Sequence, residues 1–299
     1  HRGFLDYTQA ALFTDVLPAY GNRTAGEVLA AELRAHPSMR IYLTGHSLGG
    51  AAAVLTAARL SDLGVAPEQL VVTTFGAPAV GNAAFVRRYE GRFTLHRVVM
   101  SGDPMKDVLA APLGFQQFGE RVPWSPARSV AKFPHAMMVY VDAAIRQLYD
   151  AYGGDNAFLF LMGLPNRTEG RTLYVLPIEP ELDDTLAEDA PYMMAVLRDA
   201  LHVQNASVVF AAGGGGLSAD GMLSGLSSHL AAARAAGAEQ MVAYRIAGAK
   251  IRDARETYRL TLERAVYDRD GNLLAAGSRS ARTGALTPIE TVLYLFAQD

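Results

Sequence analysis

The chain of 299 residues contains no cysteine, which excludes disulfides, thiolate chemistry and metal sites built on cysteine. Long apolar runs are also missing, since the stretch from Ala157 to Leu164 falls far short of the roughly 18 residues that a membrane span requires. The formal net charge is only -3, and no block of like charges or basic amphipathic helix is present. The composition therefore argues against nucleic acid as a partner. A hydrophobic fraction of 50% is that of an ordinary globular protein.

One stretch organises the rest of the sequence, MRIYLTGHSLGGAAA from Met39 to Ala53. A short β-rich run passes into the pattern G-x-S-x-G and then into an alanine-rich helix predicted over residues 51 to 63. Strand, sharp turn and helix in this order are the context in which Ser47 is exposed as a nucleophile. We expect Gly45 and Gly49 to remove side chains where the strand and the helix pass closest. The pattern alone also occurs by chance in glycine-rich turns, so the flanking strand and helix carry the prediction.

The elbow strand is followed by predicted strands over 70 to 75, 93 to 100 and 118 to 124. One helix is predicted between the elbow strand and the strand over 70 to 75, and another between that strand and the strand over 93 to 100. This alternation indicates an α/β fold with a mostly parallel sheet. Asp103 follows the strand predicted over 93 to 100 and so lies at the same sheet edge as Ser47.

His135 stands in a loop before an apolar helix over 136 to 149 and can reach back over the edge that carries Ser47 and Asp103. The order Ser47, Asp103, His135 is the chain order of α/β-hydrolase triads. In those roles neutral His135 takes the serine proton as general base, and Asp103 holds the imidazole tautomer.

Each assignment has an alternative in the sequence. Asp103 precedes Pro104 and could be a turn former, with Asp107 as a nearby rival. His96 lies inside a strand, where it is typical of a packed core residue, and His46 occupies the variable position of the elbow. The elbow and the chain order favour Asp103 and His135.

Beyond the linker predicted over residues 151 to 171, the pattern of strands and helices begins again. Asp189 opens a helix predicted over 191 to 201, and Asp-Gly at Asp270-Gly271 between alternating runs predicts a β-hairpin. Thr287 with Glu290 predicts a capped last helix. We therefore expect a domain over 1–150, the linker, and a smaller α+β accessory domain over 172–299.

The second half shows no constellation of catalytic type. His202 and His229 have no partner at metal spacing, so surface or core positions are favoured for both. Gly213 to Gly216 is glycine-rich, but no Lys-Ser or Lys-Thr follows it, and a flexible loop is favoured over a phosphate site. Positioning or binding of a protein partner is the default role of this domain.

Several of these segments resemble motifs of the class 3 lipase family, the fungal-type α/β-hydrolases. The family's GHSLGGA stands at Gly45 to Ala51, and its TFGxPxVGN at Thr74 to Asn82. Its acid loop is similar to Asp103-Pro104, its late histidine to His135, and its H-x-GF element to the opening His1 to Phe4. The resemblance covers about residues 1–150.

The resemblance implies a serine carboxylic ester hydrolase acting on lipid-like esters, of triacylglycerol lipase or phospholipase type, through an acyl-enzyme. Ser47 is then the nucleophile, Asp103 the triad acid and His135 the base, and the Leu48 N–H lies in the oxyanion hole. The family needs no cofactor and no metal, and transient contact with a lipid or membrane interface is expected. The stretch Val108 to Phe118 either lines an acyl-chain pocket or is ordinary core. An acyltransferase or thioesterase would use the same triad.

Two departures from the family stand in the sequence. Ala79 replaces an arginine of many members, and no segment precedes His1 that would bring early strands, the second oxyanion donor and a lid. We therefore interpret the chain as N-terminally incomplete, with an exposed edge on the elbow strand. The rival reading is a non-catalytic envelope binding or scaffold protein with a degenerate hydrolase half. A secreted or periplasmic location is expected.

Overall fold

The chain forms two compact units in the computed structural model, which describes residues 2–105, 108, 114–131, 133–153, 172–205, 207–213, 215–218, 223, 225–252 and 257–298. The first unit consists of His1–Pro126 and Phe133–Tyr140, and the second of Ala127–Lys132 and Val141–Asp299. The sequence pattern places the division near residue 150, because the apolar helix after His135 continues without a break. In the structure that helix passes from one unit into the other.

The helices and strands of the described residues are numbered in chain order. The helices are α1 (Arg2–Leu12), α2 (Ala25–Ala35), α3 (Leu48–Asp62), α4 (Ala83–Tyr89), α5 (Met137–Tyr152), α6 (Ala190–Gln204), α7 (Leu226–Ala235) and α8 (Pro288–Ala297). The strands are β1 (Val16–Leu17), β2 (Arg23–Thr24), β3 (Ile41–His46), β4 (Leu70–Phe75), β5 (Gly81–Asn82), β6 (Thr94–Met100), β7 (Phe115–Gln116), β8 (Glu120–Trp124), β9 (Thr172–Val175), β10 (Glu179–Leu182), β11 (Ser207–Phe210), β12 (Gln240–Lys250), β13 (Tyr258–Asp268) and β14 (Leu273–Arg282).

The first unit is built on a four-stranded sheet in the order β3-β4-β6-β8, and its strand pairs are all parallel. The predicted α/β fold is confirmed. Leu70 and Val72 of β4 are fully buried, and they pack in one cluster with Ala51 and Ala57 of α3. Strand β3 forms one edge of this sheet, and the side chain of its Tyr42 is 71% exposed. The sheet thus brings the carboxyl ends of β3, β4 and β6 to a common edge.

Two local predictions in the first unit have different outcomes. Thr24 and Glu27, three residues apart, predict a capping box before a helix over 25 to 35. It is confirmed at α2, because the Thr24 side chain accepts from the Glu27 N–H and the Glu27 carboxylate accepts from the Thr24 N–H. The mixed apolar and polar stretch from Asp6 to Tyr20 predicts one helix, which is wrong beyond Leu12, since α1 begins at Arg2 and ends at Leu12. Pro18, which has no N–H to donate, instead opens a short 3-10 turn.

The second unit contains a sheet in the order β11-β9-β12-β13-β14, with β10 paired to β12 in parallel. Strands β13 and β14 form the predicted antiparallel hairpin. The Asp268 carboxylate accepts from the N–H groups of Asp270 and Asn272 in the turn. The capping box at Thr287 and Glu290 is confirmed at the start of α8. Strands with helices packed on the sheet give the predicted α+β organisation.

Several predicted features fall on residues outside the described ones. They are Asp107, residues 109–113 of the Val108 to Phe118 stretch, most of the linker over 151–171 with its apolar run, and part of Gly213 to Gly216. Among the helices of the described residues, none is both long and apolar enough to cross a bilayer.

Candidate active site

The elbow between β3 and α3 holds Ser47 in a backbone conformation that L-residues rarely adopt, with φ 54° and ψ -120°. The Ser47 N–H donates to the Phe75 carbonyl at the end of the neighbouring strand β4, at 2.9 Å. This strained turn is the geometry that a G-x-S-x-G elbow requires.

The glycines of the elbow have unequal roles. A Cβ on Gly45 would lie 2.2 Å from the Gly49 carbonyl carbon, so no side chain fits there. A Cβ on Gly50 would meet Ala77 Cβ at 2.7 Å, whereas a Cβ on Gly49 would meet nothing within 4 Å. The prediction for Gly45 agrees with this geometry, and the prediction for Gly49 is wrong. Gly50 is the second position of close approach, because it packs against Thr74 of β4 and Ala77, which follows this strand.

Three predicted residues meet at the carboxyl edge of the sheet. The Ser47 Oγ lies 2.9 Å from His135 Nε2, and His135 Nδ1 lies 3.0 Å from Asp103 Oδ2. Asp103 follows β6, and His135 lies in the turn before α5. The Asp103 side chain is fully buried and that of His135 is 14% exposed. The structure thus joins the three residues in one hydrogen-bonded chain with the serine at its open end.

Asp103 is buried and accepts three hydrogen bonds. Tyr140 OH donates to Oδ2 at 2.6 Å, the Met105 N–H donates to Oδ1 at 2.8 Å, and His135 binds Oδ2. Burial acts to raise the pKa of Asp103, but these three bonds outweigh it and hold the pKa below its usual value. The carboxylate is therefore ionised at neutral pH, as a partner of an imidazole that becomes cationic must be.

Tyr140 is a contact of the site that the sequence analysis missed. Its ring is 2% exposed, and its OH accepts from the Met100 N–H at 3.1 Å while it donates to Asp103. Burial and the bond to Asp103 raise the pKa of Tyr140, so the phenol stays protonated. The apolar pattern of α5 predicted a core helix, and a tyrosine one turn into it was the only available signal.

We expect a Tyr140→Phe variant to lose about 2 kcal/mol of unfolding free energy at neutral pH, because one charge-assisted bond disappears and the buried Met100 N–H loses its acceptor. The pKa of Asp103 is lowered on folding, so its contribution to stability is present above the ordinary carboxyl pKa and is lost as pH falls through the lowered one. The difference between variant and parent should therefore shrink in acid. Urea unfolding at neutral and acidic pH measures it.

Tyr89→Phe provides the matched control, since Tyr89 OH donates to the partly exposed Asp62 at 2.8 Å. Its loss should stay below about 1 kcal/mol because water replaces the bond. Equal losses in the two variants would show that burial at Asp103 adds nothing.

His46 also contacts the site, although the sequence marks it only as the variable elbow position. Its Nε2 lies 2.8 Å from the His135 carbonyl oxygen, and the two imidazole rings are 4.8 Å apart. Since a carbonyl only accepts, Nε2 carries the hydrogen. Burial lowers the pKa of His46, which favours the neutral ring. His46 thereby fixes the backbone at His135 without adding a second charge beside it.

Gly76, the glycine after β4, leaves room for this chain of residues. It has φ +58°, and a Cβ there would lie 2.6 Å from Asp103 Oδ2, 2.8 Å from Tyr140 OH and 3.2 Å from His135 Nδ1. Any side chain would therefore push apart the groups that Asp103 joins. Gly76 belongs to the motif over Thr74 to Asn82, whose sequence does not reveal this contact.

The other histidines of the described residues make their own contacts and are not part of this hydrogen-bonded chain. His96 was expected in the core, but its side chain is 38% exposed and Nδ1 lies 2.8 Å from the Glu120 carboxylate on the neighbouring strand. His229 is buried, near the carbonyl of Gly215 at 3.2 Å, and His202 packs edge-on to Phe210. Within the described ranges, no group of three or more acidic or histidine side chains could hold a metal ion.

Leu48 is the first residue of α3, so its N–H is among those that have no partner inside the helix. The N-terminus of a helix also carries partial positive charge. This N–H is therefore available to an anionic oxygen that forms beside Ser47.

A parallel sheet, a strained serine elbow after β3, an acid after β6 and a later histidine define an α/β-hydrolase. Residues 1–111 match the family model described as lipase (class 3). This part of the chain is a class 3 lipase segment. Ser47 and Asp103 lie inside the matched residues, and His135 lies beyond them.

Similar proteins match only parts of this chain. Toxin TseL of Vibrio cholerae is 37% identical over 90 residues, which cover 30% of this chain and 12% of that protein. Lipase ZK262.3 of Caenorhabditis elegans is 34% identical over 134 residues, which cover 42% of this chain and 35% of the relative. Lipase II from Rhizopus niveus, a solved structure, is 29% identical with a TM-score of 0.34, covering 41% of this chain and 44% of that one. The chain thus spans less than half the length of each of these relatives.

Proposed function

We propose that this chain is a serine carboxylic ester hydrolase that acts on lipid-like esters, of triacylglycerol lipase or phospholipase type. The observation that carries the proposal is the hydrogen-bonded chain from Ser47 Oγ through His135 to buried Asp103, starting at a strained elbow. The names of the relatives, which are lipases in two of the three cases above, support a lipid ester as the substrate class.

In this proposal Ser47 Oγ attacks the ester carbonyl carbon while His135 Nε2 takes its proton. The proton then passes to the leaving alcohol, and an acyl-enzyme remains. A water molecule, deprotonated by His135, hydrolyses the acyl-enzyme and restores the serine. Asp103 stabilises the imidazolium in both steps, and the Leu48 N–H donates to the oxyanion. No step needs a cofactor or a metal.

Reaction with a fluorophosphonate probe tests this proposal, because such probes modify only activated serines. We expect the full chain to become labelled and the Ser47→Ala variant to remain unlabelled, with mass spectrometry locating the adduct on the elbow peptide. The rates of hydrolysis of p-nitrophenyl esters with increasing acyl length then show which length of acyl chain is preferred. A folded parent that stays unlabelled would contradict the proposal and favour the scaffold alternative.

Contact with a lipid interface, a protein partner of the second unit, and a secreted or periplasmic location stay predictions. Cell fractionation with an antibody against the chain would test the location, and sedimentation with ester-containing vesicles would test the lipid contact.

A further inference from the structure

His135 stands on a short segment of the first unit, Phe133–Tyr140, whose neighbours in the sequence on both sides belong to the second unit. The flank before it is Ala127–Lys132, and the flank after it is the part of α5 that starts at Val141. Whatever holds these two flanks in place also limits how far the histidine can move. The side chains that hold them lie within the second unit.

Arg146 holds the flank after the histidine. Its Nε donates to Asp142 Oδ2 at 2.6 Å, one turn earlier on α5, and its Nη2 donates to Asp189 Oδ1 at the start of α6. Its Nη1 donates to the Glu188 carbonyl at 3.1 Å. The guanidinium also lies over the Tyr192 ring, 4.7 Å from its centre. One largely buried arginine, with a side chain 13% exposed, therefore connects α5 to the chain that leads into α6.

The same two residues before α6 hold the flank that precedes the histidine. Ser129 Oγ donates to Asp189 Oδ1 at 2.9 Å, and the Arg128 N–H donates to the Glu188 carboxylate at 2.7 Å. Ser129 is 1% exposed and Asp189 is fully buried, so water does not compete for their bond. Asp189 therefore contacts both flanks, one through Ser129 and the other through Arg146.

Stability of the fold does not by itself explain this buried cluster of charges. Two fully buried carboxylates, Asp142 and Asp189, share one guanidinium, and within the described part of the chain Asp189 Oδ2 has no hydrogen-bond partner. Burial raises the pKa of Asp189 to about 6 in spite of Arg146. Apolar side chains of similar size often stabilise a fold as much as a buried ion pair does. What the ion pair adds is a defined geometry of the groups that it joins.

From the sequence, Asp189 is predicted to cap the helix that follows it. The structure corrects this, because Asp189 is the residue before α6 but its carboxylate makes no capping hydrogen bond. Its Oδ1 accepts from Ser129 and Arg146 instead.

We infer that Ser129, Asp142, Arg146 and Asp189, here termed the flank clamp, position His135 for proton transfer with Ser47. The inference rests on the proposed function. These four are positioning residues and do not contact the reacting atoms. If they release either flank, the 2.9 Å contact between His135 Nε2 and Ser47 Oγ lengthens, and a displacement of about 1 Å can cost on the order of a hundredfold in rate.

The test compares Arg146→Met and Ser129→Ala with the parent chain and with Arg245→Met. Arg245 is the matched control, since it is a buried arginine of the second unit that pairs with two carboxylates, Glu181 of β10 and Glu263 of β13, and neither of these strands contains a flank residue. Each full-length variant is assayed by the rate of fluorophosphonate labelling and by kcat and KM on a p-nitrophenyl ester, after circular dichroism confirms folding.

We expect kcat and the labelling rate to fall by about tenfold to a hundredfold in Arg146→Met and about threefold to tenfold in Ser129→Ala, with KM nearly unchanged. Arg245→Met should lose stability but keep kcat. Should Arg146→Met fail to fold, Ser129→Ala removes a single hydroxyl and still decides the matter.

A parent that labels at Ser47 while both clamp variants keep its kcat would overturn the inference and leave the proposed function standing. An equal fall of kcat in Arg245→Met would also overturn it, since loss of rate would then follow general destabilisation. A folded parent that does not label at Ser47 would overturn both proposals together.

Discussion

Replacement of Asp103 by asparagine is expected to lower kcat by about 10⁴-fold while the chain remains folded. The contacts of the side chain decide which way the amide turns. The Met105 N–H donates to Oδ1, so the amide oxygen must occupy that position and the NH₂ group must face His135 Nδ1 and Tyr140 OH. An NH₂ group that donates to Nδ1 leaves the hydrogen on Nε2. The imidazole then donates to Ser47 and cannot accept its proton.

Measurement of kcat on a p-nitrophenyl ester from mildly acidic to alkaline pH checks this expectation. The titration of Asp103 itself should add no pH dependence to the loss over that range, because the pKa of Asp103 in the parent is lowered and the carboxylate is ionised throughout. Asp62→Asn is the matched control, since Asp62 also accepts from a tyrosine OH and has a lowered pKa, but pairs with Arg88 away from Ser47. A loss below tenfold in Asp103→Asn, or an equal loss in the control, would remove Asp103 from the proposed triad.

A Gly45→Ala variant is expected to lose at least about 3 kcal/mol of unfolding free energy, at or beyond the upper range of overpacked cores. The added Cβ would lie 2.2 Å from the Gly49 carbonyl carbon and 2.6 Å from the Gly50 N, and both are backbone atoms that cannot turn aside. Strand β3 and helix α3 would have to separate, and the elbow that strains Ser47 would open. Urea unfolding gives the free energy, and fluorophosphonate labelling of whatever remains folded reports on Ser47.

Gly49→Ala separates this effect from a general sensitivity of glycines near the serine. Its Cβ would meet nothing within 4 Å, and the residue lies in the first turn of α3. Alanine should therefore stabilise the chain by about 0.5 to 1 kcal/mol through its helix propensity. If both variants lost equal stability, close approach of strand and helix would not be the reason for glycine at position 45.

The fold of the first unit and the three residues of the hydrogen-bonded chain could be predicted from the sequence. Both depend on signals that are local in the sequence. The elbow motif consists of consecutive residues around Ser47. Asp103 and His135 follow predicted strands, and the carboxyl ends of parallel strands lie at one edge of the sheet. The capping boxes at Thr24 and Thr287 are equally local, since donor and acceptor stand three residues apart.

The residues that the sequence did not reveal act through contacts distant along the chain. Tyr140 meets Asp103 across 37 positions, and Ser129 meets Asp189 across 60. Gly76 matters only because Asp103, His135 and Tyr140 converge on it, which no spacing in the sequence encodes. Strand β10 was missed because Pro180 stands inside it, and a proline normally argues against a paired strand.

The interruption of the first unit by Ala127–Lys132 also determines how this protein can be divided. A gene fragment that stopped at Pro126 would encode the serine and the aspartate without the histidine. One that stopped at the predicted boundary, residue 150, would include the histidine but leave Ser129 and Arg146 without Asp189. The first fragment lacks part of the first unit, and the second contains all of it but lacks the partner of Ser129 and Arg146. Exchange of the second unit between related proteins would therefore have to carry Asp189 and its neighbours along with the loop that they hold.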